Sequence, residues 1–162
     1  MMCGIPCSGK STYIRRGTEN SDFFDEYVIL STDNYIEEYA GSVNKSYNEV
    51  FDEAIHEASA KMFKQLDYAI EHEKSIIWDQ TNLTKKSRRQ KLKKVPDSYS
   101  KTAVILPITL EEALIRNSQR ANKFIPRSVL HRMYHQFEIP TEDEGFDYIM
   151  THEGSHVTMA VA

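Results

Sequence analysis

The chain of 162 residues has few cysteines, glycines and prolines, and it lacks any long apolar run. Its 2 Cys, 6 Gly and 5 Pro are too few for a disulfide scaffold, a collagen-like repeat or a low-complexity protein. No apolar stretch approaches about 20 residues, so the sequence predicts no membrane-spanning helix and no membrane partner. The pattern of a signal peptide, a basic segment followed by an apolar one, does not precede residue 4, and we expect none. The two cysteines, Cys3 and Cys7, are typical of a reduced compartment, and we expect the protein to be cytoplasmic.

Positive charge is in slight deficit, but it is concentrated in one segment. The formal net charge of −4 disfavours a polyanionic partner when it is considered alone. Residues 85–94, however, carry seven cations and no anion. Two interpretations stay open: a basic face that docks nucleic acid, or an ordinary solvated helix face.

A phosphate-binding motif is present near the start of the chain. Residues 4–12 read GIPCSGKST, which fits G-x-x-x-x-G-K-[ST], a loop whose backbone N–H groups surround phosphate oxygens. Gly4 and Gly9 give the backbone angles and close approach that a Cβ would block. Lys10 is expected to reach the β- and γ-phosphates of ATP, and Ser11 to bind Mg²⁺. The alternative is a plain Gly/Ser-rich turn. The predicted nucleotide-binding residues of this loop are Gly4, Cys7, Ser8, Gly9, Lys10, Ser11 and Thr12.

Short apolar runs alternate with amphipathic segments, which is typical of an α/β domain with a parallel sheet flanked by helices. We predict one domain over residues 1–162, in which residues 139–162 are weakly specified. The predicted strands are 1–3, 27–31, 75–78, 102–106 and a short one at 148–150. A capping box from Ser46 to Glu49 predicts a long helix with a core-facing apolar stripe that includes Phe51.

Three features follow predicted strands and should meet at the carboxyl edge of the sheet, where ligands of such folds bind. They are the phosphate-binding loop, Asp33 and Asp79. Asp79 is in the position of a carboxylate that organises Mg²⁺, together with Ser11. Asp33 could take the proton of an incoming hydroxyl, although the alternative role of helix N-cap is equally compatible with its position.

Two arginines precede a predicted loop at residues 121–126. Arg116 and Arg120 are four residues apart, which places them on one face of a helix. Cations on such a lid could close over the γ-phosphate and stabilise its developing charge. The alternative is surface salt bridging.

Four segments, taken together, resemble a known family. GIPCSGKST, STDNY, DQTNLTKKSRR and RNSQRANKFIPRSVLHRMY resemble the motifs of the polynucleotide 5′-hydroxyl kinases, in that order and at similar separations. The resemblance implies a P-loop NTPase-like sheet with a helical, arginine-bearing lid. It also implies transfer of the γ-phosphoryl group of ATP to the 5′-OH end of DNA or RNA. A separate protein would supply any ligase or phosphatase step.

The resemblance also assigns roles to residues. It implies that Asp33 is the general base and that Arg120, with Lys10, engages the donor phosphate. Thr81 and Asn82 would lie near the acceptor. The family's phage member has an acceptor-binding arginine where Ile36 stands here. We therefore expect the basic segment, through Arg88 and Arg89, to bind the acceptor instead.

Two other functions fit the same motifs. The first is a small P-loop kinase that acts on a nucleoside, a tRNA-linked amino acid or a small metabolite. The second is a nucleotide-binding regulator without turnover, against which Asp33 argues, because a binding module needs no second carboxylate near the γ-phosphate.

Overall fold

A computed structural model describes residues 1–19, 27–120, 123–153 and 156–161. Helices and strands alternate along most of this length, as the sequence predicts. The strands are β1 Met2–Cys3, β2 Tyr27–Leu30, β3 Ser75–Trp78, β4 Thr102–Ile105, β5 Tyr148–Glu153 and β6 His156–Val161. The α-helices are α1 Lys10–Glu19, α2 Thr32–Ser42, α3 Tyr47–Glu71, α4 Lys85–Leu92, α5 Leu110–Ser118 and α6 Arg127–Gln136. A short 3₁₀ helix covers Glu142–Glu144.

The strands form a four-stranded sheet in the order β1-β4-β5-β6 and a two-stranded sheet of β2 and β3. Strands β1, β4 and β5 are parallel, with Met2 opposite Val104 and Val104 opposite Met150, and β2 is parallel to β3. The predicted α/β class with a parallel sheet and flanking helices is therefore confirmed. The short strand predicted at 148–150 is longer, and β6 pairs with it in antiparallel fashion.

Hydrogen bonds at the ends of β1 and β3 connect the two sheets. The Gly4 N–H donates to the Thr81 carbonyl at 3.0 Å, and the Asn82 side-chain amide donates to the Met2 carbonyl at 2.6 Å. The phosphate-binding loop after β1 and the loop after β3 are consequently held side by side, at one edge of the fold.

Helices cover both faces of the β1–β4 pair. Met2 and Leu106 pack with Ile14 of α1 on one face, whereas Cys3 and Ile105 pack on the other face in a cluster that contains Leu92 of α4. This alternation follows from the two-residue period of side chains along a strand. Because β1 and β4 are parallel, the loops that follow them leave the sheet at the same edge.

The long helix α3 packs against α2 and the β2–β3 pair. The Glu49 carboxylate accepts a hydrogen bond from the Ser46 N–H at 2.8 Å, and the predicted capping box is confirmed. Most of the predicted apolar stripe is buried, but the prediction for Phe51 is wrong, because this side chain is exposed and lines a cavity. Within the described ranges, no helix combines the length and the apolar character needed to cross a bilayer.

Candidate active site

The phosphate-binding loop has a backbone that depends on its two glycines. Gly9 has φ of 96° and Cys7 has φ of 68°, both in the left-handed region that only glycine adopts without strain. A Cβ on Gly4 would lie 2.7 Å from Ser8 Oγ and 3.0 Å from the Leu106 carbonyl oxygen. Gly4 is therefore required for close packing, and Gly9 for backbone conformation.

Lys10 is folded over its own loop. Its Nζ donates to the carbonyl oxygens of Gly4 at 3.0 Å and Ile5 at 2.8 Å, and to Ser8 Oγ at 3.4 Å. Burial lowers the pKa of Lys10 to about 8, although the charges of Asp79 and Asp33 oppose this change. The ammonium group therefore has a buried position that phosphate oxygens could stabilise.

Asp79 and Ser11 form an oxygen pair suited to a hard cation. The Ser11 hydroxyl hydrogen-bonds the Asp79 carboxylate, whose pKa is raised by burial and, to a smaller extent, by Asp33. The described residues contain no group of three or more His, Cys, Asp or Glu that could hold a metal ion. Mg²⁺ needs no such group, since it is usually held by one or two protein oxygens, substrate phosphates and water. These two residues therefore fit the predicted Mg²⁺ site.

Asp33 lies in the first turn of α2, and Ser31 is the N-cap. The alternative of an N-cap role for Asp33 is therefore wrong. Its Oδ1 accepts a 2.7 Å hydrogen bond from the Tyr47 hydroxyl, and its Oδ2 is 2.5 Å from Lys123 Nζ. Burial, and then the charge of Asp33, raise the pKa of Tyr47, so the hydroxyl remains a donor. The Asp33 side chain is still 51% exposed.

One continuous cavity joins these groups. Lys10, Ser11, Asp79 and Asp33 all contribute to its lining, and so does Thr81. The electrostatic influence of both carboxylates on Lys10 agrees with this shared location. The cavity thus has a phosphate-binding side at residues 4–12 and a second side around Asp33.

The two lid arginines both reach the phosphate-binding loop, although only one of them is helical. Helix α5 ends at Ser118, so the prediction of a shared helix face is wrong for Arg120. Arg116 donates to the Cys7 carbonyl oxygen at 3.1 Å and also pairs with Glu112. The Arg120 guanidinium lies 3.9 Å from Cys7 Sγ. Of the predicted lid loop, residues 121–122 lie outside the described residues.

Three of the four predicted acceptor-binding residues are occupied by other contacts. Arg88 is 0% exposed and makes a bidentate ion pair with Glu144 at 2.7 Å. Asn82 is 1% exposed, and its side chain binds the Met2 carbonyl. The prediction is wrong for both residues, because neither side chain can reach a ligand.

The third residue, Arg89, is exposed but pairs with Asp143 at 2.5 Å. It does not line the cavity that contains Lys10 and Asp33, and its predicted acceptor-binding role stays a prediction. The basic segment is not entirely exposed, as both a docking face and a solvated helix face would require. Arg88 and Leu92 are buried, Lys91 donates to Asn82 Oδ1, and Lys85 lies 3.7 Å from Asp143.

Sequence reasoning missed two residues of the site, Tyr47 and Lys123. Tyr47 is the first residue of α3, directly after the N-cap Ser46, and no local pattern indicates that it binds a carboxylate. Lys123 is in the predicted lid loop, but nothing in its sequence context indicates a contact with Asp33. Both contacts depend on how α2, α3 and the lid pack together.

Comparisons with known proteins place these features in context. A family described as "AAA domain" matches residues 1–140. The L-seryl-tRNA(Sec) kinase of Methanococcus maripaludis is 27% identical over 151 residues, which are 91% of this chain and 55% of that protein. The chain thus spans about half the length of the curated relative that it matches.

Among solved structures, deoxyadenosine kinase from M. mycoides with bound dATP superposes with a TM-score of 0.44 and 15% identity. The superposition covers 83% of this chain and 79% of that chain.

The match to the curated relative contradicts the prediction of a polynucleotide 5′-hydroxyl kinase. The curated relative, which matches along nearly the whole chain, is an L-seryl-tRNA(Sec) kinase, and the side chains expected to bind the nucleic-acid end include Arg88 and Asn82, which are buried. The alternative of another small P-loop kinase agrees better with the comparison. Because the family match extends over residues 1–140 of 162, the chain belongs to the AAA domain family.

Proposed function

We propose that this chain transfers the γ-phosphoryl group of ATP to an alcohol that binds beside Asp33, as a small P-loop kinase. The observation that carries the proposal is the shared cavity of Lys10 and Asp33. A half-exposed carboxylate stands on one side of it, and a phosphate-binding loop on the other. A pure nucleotide-binding regulator would have no use for the first of these groups.

The residues present account for each change in the transfer. The acceptor oxygen forms a bond to the γ-phosphorus, and the bond from that phosphorus to the leaving oxygen of ADP breaks. The acceptor proton passes to a carboxylate oxygen of Asp33. Lys10 and Arg120 stabilise the charge that develops on the transferred group. Mg²⁺ held by Ser11 and Asp79 supplies further charge neutralisation when it is bound.

The identity of the acceptor follows the curated relative. Glu37 lines the cavity beside Asp33, but Lys123 pairs with both carboxylates, so their charge does not by itself select an acceptor. Ile36, where the phage 5′-kinase has an arginine, is fully buried. We favour a hydroxyl amino acid, free or linked to tRNA, because the curated relative is named as an L-seryl-tRNA(Sec) kinase.

The test is a transfer assay with γ-labelled ATP and Mg²⁺ on four acceptors. These are seryl-tRNA, free L-serine, deoxyadenosine and an oligonucleotide with a 5′-OH end, and the Asp33→Asn variant is the matched control. We expect label in seryl-tRNA or serine, lost in the control, and none in the oligonucleotide.

Each other outcome has a defined meaning. Label that enters only deoxyadenosine would support the kinase activity but show that the acceptor is a nucleoside and not an amino acid. Label in the oligonucleotide alone would overturn the proposed acceptor class. ATP binding without transfer to any of the four acceptors would favour the regulator.

A further inference from the structure

The lid contains a short segment, residues 123–126, that is tied to two different parts of the fold. From α5, the Asn117 amide donates to the Ile125 carbonyl at 2.8 Å, and its Oδ1 accepts from the Ile125 N–H at 3.1 Å. From α3, the Asn48 amide donates to the carbonyl of the adjacent Phe124 at 2.7 Å. We call residues 123–126 the strap. Through these hydrogen bonds it connects Asn117 of α5, which lies between the two lid arginines in the chain, to Asn48 at the start of α3.

Lys123 of the strap has an ammonium group enclosed by three partners. Its Nζ lies 2.5 Å from Asp33 Oδ2, 3.0 Å from Glu37 Oε1 and 4.1 Å from the centre of the Tyr47 ring. The side chain is only 13% exposed. Charge-assisted hydrogen bonds of this length, together with a cation–π contact, are among the stronger polar interactions of proteins.

These contacts fix the Asp33 carboxylate from two sides. Tyr47 holds Oδ1 at 2.7 Å from α3, and Lys123 holds Oδ2 from the strap. Because the group remains half exposed, an acceptor hydroxyl can still approach a free lone pair. The plane of the Asp33 carboxylate, however, is set by two partners on different elements. One of these partners, Lys123, belongs to the strap.

We propose that Lys123 is a positioning residue that couples the lid to the general base. When the strap is docked, Arg116 and Arg120 lie at Cys7, and the same segment orients Asp33 toward the cavity. Closure over the donor phosphates and alignment of the base thus become one event. This inference rests on the proposed function for its catalytic part and on the docked strap for its structural part.

The first test is a double-mutant cycle on the turnover number. Lys123→Met should lower kcat about tenfold, the scale of one charge-assisted hydrogen bond, with little change in the KM for ATP. Lys123→Arg should restore part of the loss. In the Asp33→Asn background, Lys123→Met should have almost no further effect, because the group on which it acts is already absent. Losses that multiply across the cycle would overturn the inference, since Lys123 would then act independently of Asp33.

The matched control is Lys61→Met. Lys61 also pairs with one glutamate, Glu57 at 2.9 Å, and lies over an aromatic ring, that of Tyr35 at 5.7 Å. It is on α3, away from the described contacts of Asp33. Its substitution should leave kcat unchanged. An equal loss in both variants would show that a general loss of surface charge explains the effect, and would overturn the inference.

The second test requires no turnover. Hydrogen exchange of the Ile125 amide, which is held by Asn117, should become about tenfold faster in Lys123→Met, if one charge-assisted bond keeps the strap docked. It should not change in Lys61→Met. Unchanged exchange in both variants would overturn the docking part. If the wild-type protein transfers phosphate to no acceptor, the proposed function fails, and this exchange experiment still decides whether Lys123 docks the strap.

Discussion

Arg88 and Glu144 form a bidentate ion pair with both side chains 0% exposed. The guanidinium group also donates to the carbonyl oxygens of Asn82 at 2.9 Å and Glu138 at 2.8 Å. This arrangement connects the loop after β3, which borders the candidate active site, to the segment that leads into β5. It satisfies the rule that a buried charge must be paired and hydrogen-bonded.

Removing one partner of this pair should destabilise the fold strongly. Arg88→Met leaves the Glu144 carboxylate buried without its cation, which typically costs about 3–5 kcal/mol. Arg89→Met breaks only the exposed pair with Asp143, worth about 0–1 kcal/mol. Urea denaturation of the two variants measures the difference. A cost for Arg88→Met no larger than that for Arg89→Met would contradict the structural role of the buried pair.

The same pair predicts a loss of stability in acid. Burial alone would raise the pKa of Glu144, but the hydrogen bond and charge of Arg88, with the Thr141 N–H, hold it below its ordinary value. A lowered pKa in the folded state means that the unfolded chain binds the proton more readily. The free energy of unfolding should therefore fall as the pH drops below the ordinary glutamate range, down to the folded pKa. Glu144→Gln should reduce this pH dependence, which denaturation at a series of pH values measures.

Asp33→Asn should slow phosphoryl transfer to a small residual rate and leave ATP binding nearly intact. The amide keeps the size of the side chain but accepts no proton, and the loss of a general base typically costs about 10²–10⁴-fold in rate. Asp52→Asn is the matched control, because Asp52 is an exposed carboxylate of the same cavity. Single-turnover transfer and equilibrium binding of ATP measure the two effects. An equal loss of binding and transfer in Asp33→Asn would assign Asp33 a structural role.

Lys10 should give ATP binding an alkaline limit. Its pKa is lowered to about 8 in the free protein, whereas phosphate oxygens favour the ammonium form. Above about pH 8, binding must therefore take up a proton, and affinity should fall by up to about tenfold per pH unit. Calorimetry in buffers of different ionisation enthalpy detects this proton. In Lys10→Arg, whose guanidinium does not titrate in this range, the proton uptake should vanish, and persistent uptake would assign it to another group.

Arg120→Met should slow transfer about 10²–10³-fold, the usual effect of removing one donor to a developing charge. ATP binding should weaken less, because Arg116 and Lys10 still contact the phosphate-binding loop. The control is Arg127→Met, an exposed arginine at the start of α6 that does not line the cavity. Transfer rates at saturating ATP compare the two variants. Similar transfer rates in the two variants would show that Arg120 does not take part in the transfer.

Local sequence signals were sufficient for the fold class and for placing the phosphate-binding loop and Asp33 on one cavity. The phosphate-binding loop, the capping box at Ser46 and the position of Asp33 after β2 each depend on a few neighbouring residues. The partners of Arg88 and Asp33 could not be predicted in this way. Glu144 and Lys123 are distant in the chain, and a run of cations looks the same whether one member is turned inward or all face water. Burial of Arg88 follows from tertiary packing, which overrides the local pattern.

Two glycine-to-alanine substitutions add the same methyl group but should have different effects, a loss of ATP binding in one case and a gain in stability in the other. In Gly4→Ala the new Cβ would meet Ser8 Oγ at 2.7 Å and the Leu106 carbonyl at 3.0 Å, so the loop must shift and ATP binding should be lost. In Gly41→Ala the new Cβ meets nothing within 4 Å, inside helix α2. That change should stabilise the protein by up to about 1 kcal/mol, because alanine loses less backbone entropy in a helix than glycine. Denaturation and ATP titration of both variants test the pair. Wild-type ATP affinity in Gly4→Ala would show that the loop does not need the close approach on which the donor site depends.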